Sequence, residues 1–429
     1  MENEFIFILG QARELAAYEL KQILKNRLDF GSFIVEKNRA TIKSKAKAAE
    51  IAGLINILGG TIKIGRLVGE GEWLDAIHSD IKARPTRDVG ISDYSDNSQK
   101  LNDIWSLKND LREEGIKIRL VIPRGGQTLN EAEIRSNKLI DNGREYLVAG
   151  GKVYETLAVQ KVGEFVERDY GKPRNNAFSG MLPPKLARMM VNITTSAAQY
   201  QKSNIKNQKY RRSGQLEIRS IRSISPSLTV IDPFCGSGNI LLEAMDLGYS
   251  VVGSDISRKA VEWSSENLAW FSNQISDLRS QNEKTDQLDS GLTDWSVATA
   301  DATKNNFFFG QQKTENRLRV VVTEPYLGQP KKSKVSRKQA EKELDELAQL
   351  YLSFLINLKR LTTDYRLPIT VICLVFPAYE TYEGGLVGLY SQIVDKIADL
   401  GYTRLAGPFT YGRGYQVVKR EVLLLTVKG

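Results

Sequence analysis

The eight residues Asp232–Asn239, Asp-Pro-Phe-Cys-Gly-Ser-Gly-Asn, decide the fold of the C-terminal half of this chain. They follow a short apolar run, Leu228–Ile231, and they precede a helical pattern, Ile240–Leu247. A second apolar run, Tyr249–Gly253, then ends beside the acid Asp255. This order predicts one β–α–β unit of a doubly wound α/β sheet, with glycines at its first turn.

The turn and the acid predict a ligand site. Glycines let a ligand approach the backbone, and Asp255, nineteen residues after Gly236, can bind ribose hydroxyls. The turn is not G-x-G-x-x-G, which disfavours a dinucleotide. Asp232 favours a cationic or amine-bearing ligand, because a carboxylate there would repel a pyrophosphate. A glycine-rich turn that binds nothing is the structural alternative.

Length and composition narrow the class of protein. The 429 residues predict about three domains. Two cysteines and the single His78 argue against a disulfide framework, metal chemistry and a histidine-based triad. The early apolar stretch Phe5–Leu9 is too short to span a bilayer and follows acidic residues. We therefore expect a cytoplasmic protein without a membrane or metal partner; the sequence names no protein partner.

The excess of Lys and Arg over Asp and Glu favours a polyanion as the binding partner of this chain. The net charge is +9 and the pI is about 9.2, and such a surplus favours nucleic acid. One basic segment, Tyr200–Ile224, is predicted to be an exposed, mobile loop, and a second basic run covers Lys331–Lys338. A third polar stretch, Ser272–Trp295, predicts a loop insertion. Solvated tracts are the alternative, but phosphate contact is favoured for the two basic runs.

The N-terminal half alternates strands and helices. Residues 1–70 have the order β–α–β–β–α–β of a ferredoxin-like domain, and 71–160 form a second α/β unit. A helical pattern over Ala158–Lys172 connects the halves, with the linker helix placed at 161–177 and the last domain at 178–429. Near the C-terminus, Tyr411–Tyr415 precedes an apolar strand pair over Val417–Val427. Arg413 and Tyr415 can reach RNA from there, although a plain β-turn explains the glycines equally well.

The stretch Asp232–Asn239 resembles the first motif of class I S-adenosylmethionine-dependent methyltransferases, particularly those that methylate exocyclic amines. The resemblance implies S-adenosyl-L-methionine as cofactor, with Asp255 on the ribose and Asp301 facing the adenine amine. The cofactor-binding residues that it implies are Pro184, Lys185, Asp232, Phe234, Gly236, Gly238, Asn239, Asp255, Ile256, Asp301 and Ala302.

A second resemblance lies upstream, over Phe165–Ile193. Its segments Arg168–Pro173 and Ser179–Arg188 resemble the signature of THUMP-containing RNA guanine-N2 methyltransferases, closest to those acting on guanosine ten of tRNA. The resemblance implies a class I (Rossmann-like) methyltransferase domain preceded by α+β, ferredoxin-like and THUMP-like RNA-binding domains. It also implies that the helix opened by Pro183–Ala187 covers the methionine end of the cofactor. The residues alone predict only that two prolines start a helix.

The candidate catalytic residues are Glu324, Pro325 and Tyr326, at the end of the apolar run Val320–Val322. Acceptors aimed at the protons of an exocyclic amine localise its lone pair, and an aromatic face holds the base. Amine methyltransferases usually place Asp/Asn-Pro-Pro-aromatic here; this chain has Glu-Pro-Tyr-Leu. In one interpretation, the Glu324 carboxylate and the Pro325 backbone carbonyl still accept from the amine, and Tyr326 stacks on the base. In the other two, the site has shifted to another amine or base, or the motif has decayed.

The sequence thus predicts an S-adenosylmethionine-dependent enzyme that forms N2-methylguanosine in RNA, with tRNA as the expected partner. The alternatives are an amine methyltransferase acting on another structured RNA or on DNA, and a catalytically decayed RNA-binding protein that retains the cofactor.

Overall fold

The computed structural model describes residues 2–95, 104–175, 181–213, 228–281, 294–304, 318–364 and 369–427. The chain divides into two compact units, Met1–Gly163 and Glu164–Gly429. Within the described ranges, no helix combines the length and apolarity that crossing a membrane requires.

The N-terminal unit is built on one eight-stranded sheet in the order β2-β3-β1-β4-β8-β7-β5-β6. Its strands are β1 Asn3–Leu9, β2 Phe30–Glu36, β3 Arg39–Ser44, β4 Thr61–Glu70, β5 Asp88–Asp93, β6 Arg119–Val121, β7 Arg144–Ala149 and β8 Lys152–Val159. Its helices are α1 Arg13–Arg27, α2 Ala48–Gly53, α3 Trp73–Ala83, α4 Ile104–Glu113 and α5 Glu131–Ser136. Because β4 pairs with β8, the sheet runs continuously from 1–70 into 71–160; these two domain boundaries stay predictions.

The C-terminal unit contains a second sheet, in the order β11-β10-β9-β12-β13-β16-β15 with β14 paired to β13. Its strands are β9 Leu228–Asp232, β10 Ser250–Asp255, β11 Trp295–Thr299, β12 Leu318–Thr323, β13 Ile369–Glu380, β14 Leu386–Gly388, β15 Tyr402–Tyr411 and β16 Val418–Val427. The helices from the linker onward are α6 Val162–Val166, α7 Pro184–Ser213, α8 Asn239–Asp246, α9 Arg258–Gln281, α10 Arg337–Asp364 and α11 Leu389–Asp399.

Strand direction in this second sheet defines where a ligand can bind. Strands β11, β10, β9, β12 and β13 are parallel, whereas β16 is antiparallel to both β13 and β15. The chain leaves β9 toward β10 on one side and later returns to β12 on the other. The sheet therefore reverses its winding between β9 and β12, and such a point opens a crevice at the carboxyl ends of the strands.

Burial explains why these segments form strands. The apolar residues Val320–Val322 are fully buried, as are Val251 and Val252 on β10. Parallel strands covered on both faces read as continuous apolar runs rather than as alternating ones. Helix α10 packs Tyr351 and Phe354 into the same core. The predicted α/β fold class of this half is confirmed.

Two loop predictions were wrong over part of their length. Helix α7 continues through Tyr200 to Ser213, and helix α9 continues through Ser272 to Gln281. Both extensions are rich in Lys, Gln, Arg and Ser, which look like loop composition. Lys, Gln and Arg are nevertheless good helix formers, and adding a residue to an existing helix costs little. Of the rest of these two segments, 214–224 and 282–293 lie outside the described residues, and Trp295 begins β11.

The connecting segment and the C-terminal strand also differ from their predictions. Residues 158–159 still belong to β8, and the helix that follows is short, α6, with a π-helical turn over Glu167–Gly171. Val417–Val427 is not a strand pair: β16 is one strand, and its partner β15 precedes it in the chain. The apolar run fitted either one long strand or two short ones, and pairing with β13 stabilises the long one.

Candidate active site

Three acidic side chains meet at the carboxyl ends of the central strands. Asp232 ends β9, Asp255 ends β10, and Glu324 directly follows β12. The Thr323 hydroxyl donates to Asp232 Oδ1 at 2.6 Å, which ties the ends of β9 and β12 together. The charges of Asp255 and Glu324 both act on Asp232. The fold therefore concentrates negative charge at the point where the sheet reverses its winding.

Asp232 is the most buried of these acids, with 1% of its surface exposed. Burial is the main cause that raises the pKa of Asp232 to about 7, and the negative charges of Asp255 and Glu324 raise it further. The hydrogen bonds from Thr323 and from the Phe234 backbone act in the opposite direction. A cation in the crevice would stabilise the ionised carboxylate, so the site suits a positively charged ligand.

The glycine-rich loop keeps bare backbone next to these acids. Gly236 and Gly238 have φ of +51° and +85°, a region that residues with a Cβ rarely adopt. The Gly236 N–H donates to Asp255 Oδ2 at 3.0 Å, which holds the loop over the end of β10. A Cβ on Gly236 would point into open space, whereas one on Gly238 would lie 2.7 Å from Ser264 Oγ. Glycine is therefore required at Gly238 for packing and at Gly236 for conformation.

Asn239 turns away from the loop toward the upstream segment. Its Nδ2 donates to the Leu182 carbonyl at 2.7 Å, and its Oδ1 accepts from Lys172 Nζ. Burial lowers the pKa of Lys172 to about 8. In this arrangement the Asn239 side chain braces the start of α8 against the segment that precedes α7.

Pro184 and Lys185 form the first turn of α7. Pro184 is buried, and Lys185 Nζ lies 5.4 Å from the centre of the Phe165 ring. Arg168 and Arg188 also lie against that ring, and both bind Glu243 on α8, with Nε–O distances of 2.6 and 2.7 Å. The upstream signature thus packs the linker and α7 onto the helix that follows the glycine loop. Residues 179–180 of that signature lie outside the described residues.

The remaining predicted cofactor residues lie along the same strand ends. Asp255 Oδ1 accepts from the Ser257 N–H at 2.9 Å, and Ile256 is 71% exposed. Asp301 Oδ1 accepts from the Thr303 hydroxyl at 2.6 Å, and this hydrogen bond is the main cause that lowers the pKa of Asp301. Its neighbour Ala302 is buried, and the Ala302 carbonyl accepts from Asn357 Nδ2 at 2.9 Å. Phe234 packs edge-on against Phe354, with ring centres 5.2 Å apart.

Glu324 is held by an arginine on β16, a strand that β13 separates from β12. Arg420 on β16 donates through Nε to Glu324 Oε2 at 2.6 Å and through Nη2 to Oε1 at 3.2 Å. The Arg420 side chain is buried, and that of Glu324 is 15% exposed. A two-point arginine–carboxylate contact fixes orientation as well as charge. The remaining lone pairs of the carboxylate can still accept hydrogen bonds from a ligand.

The backbone after Glu324 is fixed by two tyrosines. Tyr351 Oη on α10 donates to the Tyr326 carbonyl, and Tyr379 Oη on β13 donates to the Leu327 carbonyl, both at 3.2 Å. Gly328 has φ +92° and lies against the Tyr379 hydroxyl. Pro325 is buried and Tyr326 is 50% exposed. This arrangement presents a half-exposed ring on a backbone that two hydroxyls hold in place.

The structure thus brings the predicted residues of β9, β10 and β12 to one edge of the sheet, and their roles toward a cofactor and a base stay predictions. Sequence reasoning missed Arg420, Thr323, Tyr351 and Tyr379. Thr323 was adjacent to the predicted motif and carried a usable signal, a hydroxyl at the end of a buried strand. The other three lie far from it in sequence.

Part of the chain matches a known family model. Residues 70–266 match the N6_N4_Mtase family model, described as DNA methylase. The matched range is less than half of the chain; it includes the glycine loop and Asp255 and ends before Glu324.

The second sheet has the class I, Rossmann-like methyltransferase fold. Three features define that fold here: parallel strands, a reversal of winding between β9 and β12, and an antiparallel β16 beside β13. Proteins of this class use S-adenosylmethionine, the cofactor that the sequence predicts.

Curated relatives point to one kind of methyltransferase. The chain is 26% identical over 151 residues to a tRNA (guanine(10)-N2)-dimethyltransferase of Methanothermobacter thermautotrophicus, covering 35% of this chain and 29% of that protein. It is 23% identical over 341 residues to the protein of the same name from Pyrococcus abyssi, covering 76% of this chain and 78% of the relative. The chain therefore spans under a third of the first relative's length and over three quarters of the second's.

Solved structures with a similar fold include magnesium protoporphyrin IX methyltransferase from Synechocystis PCC 6803. That match has a TM-score of 0.27 at 14% identity and covers 62% of this chain and 92% of that one. Ribosomal protein L11 methylase from Lactobacillus delbrueckii subsp. bulgaricus gives 0.27 at 16% identity, covering 48% and 74%. The fold assignment rests on strand order and direction rather than on these scores.

Proposed function

We propose that this chain transfers a methyl group from S-adenosylmethionine to the exocyclic amine of a guanine in tRNA, forming N2-methylguanosine. The observation that carries the proposal is the Glu324–Arg420 pair at the end of β12, beside the glycine loop and Asp232. It supplies a carboxylate acceptor of fixed orientation where an amine would meet the cofactor. The names of the curated relatives support guanine N2 as the target.

The residues at the strand ends fit this cofactor. Asp232 and Asp255 offer negative charge to a cationic ligand, and Gly236 leaves space above the loop backbone. Asp255 and Asp301, at the ends of neighbouring strands, would hold the ribose and the adenine amine. When bound, S-adenosylmethionine supplies a methyl group on a positively charged sulfur; the amine lone pair takes the methyl carbon and the carbon–sulfur electron pair stays on sulfur.

The protein residues prepare the amine. Glu324 and the Pro325 carbonyl accept hydrogen bonds from the two amine protons and so localise the nitrogen lone pair, which an aromatic amine otherwise shares with its ring. Arg420 fixes the orientation of the Glu324 carboxylate through its two hydrogen bonds. The Tyr326 ring stacks on the base and aligns it. After transfer, the nitrogen loses its surplus proton to the Glu324 carboxylate, which releases it to water.

The second basic run is placed to assist RNA binding. Lys332, Arg337 and Lys338 are exposed, shortly after the catalytic segment. Lys331 and Lys334 pair with Glu343 and Glu380, and Arg337 lies 3.9 Å from Glu341. We infer that Lys332 and Lys338 contact phosphates, because exposed cations next to a nucleic-acid site exchange counterions for phosphates.

Methyl transfer from labelled S-adenosylmethionine tests the proposal. Unmodified tRNA, ribosomal RNA and duplex DNA are incubated in parallel, then digested so that the methylated nucleoside is identified. The expected result is N2-methylguanosine in tRNA alone. A methylated DNA base, or no transfer despite cofactor binding, would refute it.

A matched pair of variants tests the role of Glu324. We expect Glu324→Gln to lower turnover by about 100-fold, because an amide is a weaker acceptor and is oriented less firmly by Arg420, while the cofactor affinity changes less than about threefold. Arg404→Ala, an exposed arginine at the start of β15, is the control and keeps full turnover. Equal turnover in Glu324→Gln and wild type would remove Glu324 from the mechanism.

A further inference from the structure

An exposed group of tyrosines and one arginine lies at the turn between β15 and β16. Tyr415 is 74% exposed and Tyr170, from the segment before α7, is 69% exposed. Arg413 is also exposed, and its Nη1 donates to Tyr415 Oη at 2.7 Å. That hydrogen bond is the main cause that raises the pKa of Arg413, and Tyr411 and Tyr170 act on Arg413 through space. We call Tyr170, Arg413 and Tyr415 the hairpin surface.

The hairpin surface lies next to the candidate active site. Tyr411, the last residue of β15, is directly opposite Arg420 on β16 in the strand register. Arg420 binds Glu324, and the charges of both Arg413 and Arg420 act on Tyr411. The turn that carries Arg413 and Tyr415 therefore continues from the strand pair that holds the catalytic carboxylate.

The turn is ordered by its own hydrogen bonds. The Arg413 N–H donates to Gln416 Oε1 at 2.9 Å, and Lys419 Nζ donates to the Arg413 carbonyl at 2.7 Å. Asp169 lies within electrostatic range of Arg413. With the Arg413–Tyr415 hydrogen bond, these contacts hold the Tyr415 ring and the Arg413 guanidinium at the surface without burying them.

The chemistry of this surface matches a nucleobase. Exposed aromatic rings stack on any base, and a nearby arginine adds attraction to the base and to phosphates. The charged groups Asp169 and Lys419 lie near Arg413, which favours a polar, charged ligand over an apolar protein partner. Most of the area of Tyr170 and Tyr415 faces solvent.

We propose that the hairpin surface binds an RNA nucleobase adjacent to the methylated guanine, by stacking on Tyr415 and Tyr170, with Arg413 beside Tyr415. The proposal rests on the proposed function, since it assumes that RNA enters the crevice beside Glu324. It adds a second contact that holds the strand flanking the target while the target base enters the site.

Binding of a fluorescently labelled tRNA transcript, without cofactor, tests the proposal independently of catalysis. Tyr415→Ala and Tyr170→Ala are each expected to weaken binding about tenfold, the loss of one base–aromatic stack. Tyr415→Phe keeps the ring and is expected to bind within about threefold of wild type. Arg404→Ala is the control: it lies on the same strand about 20 Å from the turn, at ~3.3 Å per residue, and is expected to bind as wild type.

A crosslinking experiment on the unaltered protein provides a second readout. A transcript carrying 4-thiouridine beside candidate guanines is irradiated with the protein, and the crosslinked peptide is identified. Recovery of the peptide with Tyr415 or Tyr170 supports the proposal. Unchanged affinity in both alanine variants, or crosslinks confined to other peptides, would overturn it.

Turnover measurements separate this proposal from the proposed function. If the wild type methylates tRNA, the alanine variants are expected to raise KM about tenfold with kcat nearly unchanged, because they act on RNA binding. If the wild type binds and crosslinks tRNA at the hairpin surface but methylates no guanine, the proposed function fails while the surface stands. Capture of a protein in place of RNA at these residues would refute the surface alone.

Discussion

Replacing Arg420 with Met tests whether the buried cation sets the geometry of Glu324. Arg420 makes two hydrogen bonds to the Glu324 carboxylate and is itself buried. Removing one partner of a buried pair costs about 3–5 kcal/mol. The Glu324 side chain is 15% exposed, so water can hydrate the carboxylate once the arginine is gone. We therefore expect Arg420→Met to lower the free energy of unfolding by about 3 kcal/mol, the lower end of that range.

The double variant Glu324→Gln/Arg420→Met isolates the pair from the general effect of substitution. It leaves no charge unpaired, and we expect it to cost only about 1 kcal/mol, close to the value for a modest change of packing. Glu324→Gln keeps an amide oxygen that can accept from Arg420, and we expect it to lower the free energy of unfolding by about 1 kcal/mol. The two single losses then exceed the loss in the double variant by about 3 kcal/mol, which is the expected coupling free energy. Arg420→Lys keeps one charge but not the two-point contact, and an intermediate loss is expected.

Urea unfolding of the full chain measures these free energies, using the transition that shifts to higher urea when S-adenosylmethionine is added, because that transition belongs to the cofactor-binding unit. Turnover is measured on the same samples. We expect Arg420→Met to lower kcat about 100-fold, as expected for a displacement of about 1 Å, with cofactor affinity nearly unchanged. A coupling free energy below about 0.5 kcal/mol, or an unchanged kcat, would refute the positioning role.

Three further predictions follow from the crevice. Asp232 has a pKa of about 7 in the folded state against 3.8 for an ordinary Asp. Its contribution to the free energy of unfolding is therefore lost as pH rises from about 4 to about 7. Asp232→Asn should abolish that loss in urea unfolding between pH 5 and 8 and should weaken cofactor binding, and an unchanged dependence of stability on pH would contradict this. Gly238→Ala should cost about 2 kcal/mol, from its positive φ and the contact with Ser264, and a Ser264→Ala background should recover part of it; full wild-type stability would count against the argument. Gly328→Ala should destabilise the same transition by about 2 kcal/mol through its contact with Tyr379, and Tyr379→Phe should relieve part of the loss, whereas equal losses in both backgrounds would exclude that contact as the cause.

The sequence was most informative where a structure has a strong local signature. Leu228–Ile231 and Tyr249–Gly253 became β9 and β10 almost residue for residue. A buried parallel strand is a continuous apolar run, and glycines mark the turn between strand and helix. Both patterns are local, because each is complete within about ten residues of sequence. The carboxyl ends of such strands meet at one edge of the sheet, which is why Asp232 and Asp255 could be placed together.

The partner of Glu324 could not be predicted in this way. Arg420 lies 96 residues further along the chain, in an apolar run where a single arginine looks like an ordinary solvent-facing position. It reaches Glu324 because β16 inserts between β13 and β15, a strand order that no local pattern specifies. Tyr351 is similar: its helical spacing predicts a core ring, and only the packing of α10 shows that its hydroxyl binds the Tyr326 carbonyl.

The two tyrosine hydroxyls that bind the carbonyls of Tyr326 and Leu327 also bear on how this site can change over evolution. They fix the main chain through groups that every amino acid possesses, so the side chain at 326 can be exchanged without moving the acceptors beside it. A saturation library at this one position, selected on altered RNA substrates, would therefore sample new base preferences in an otherwise constant scaffold.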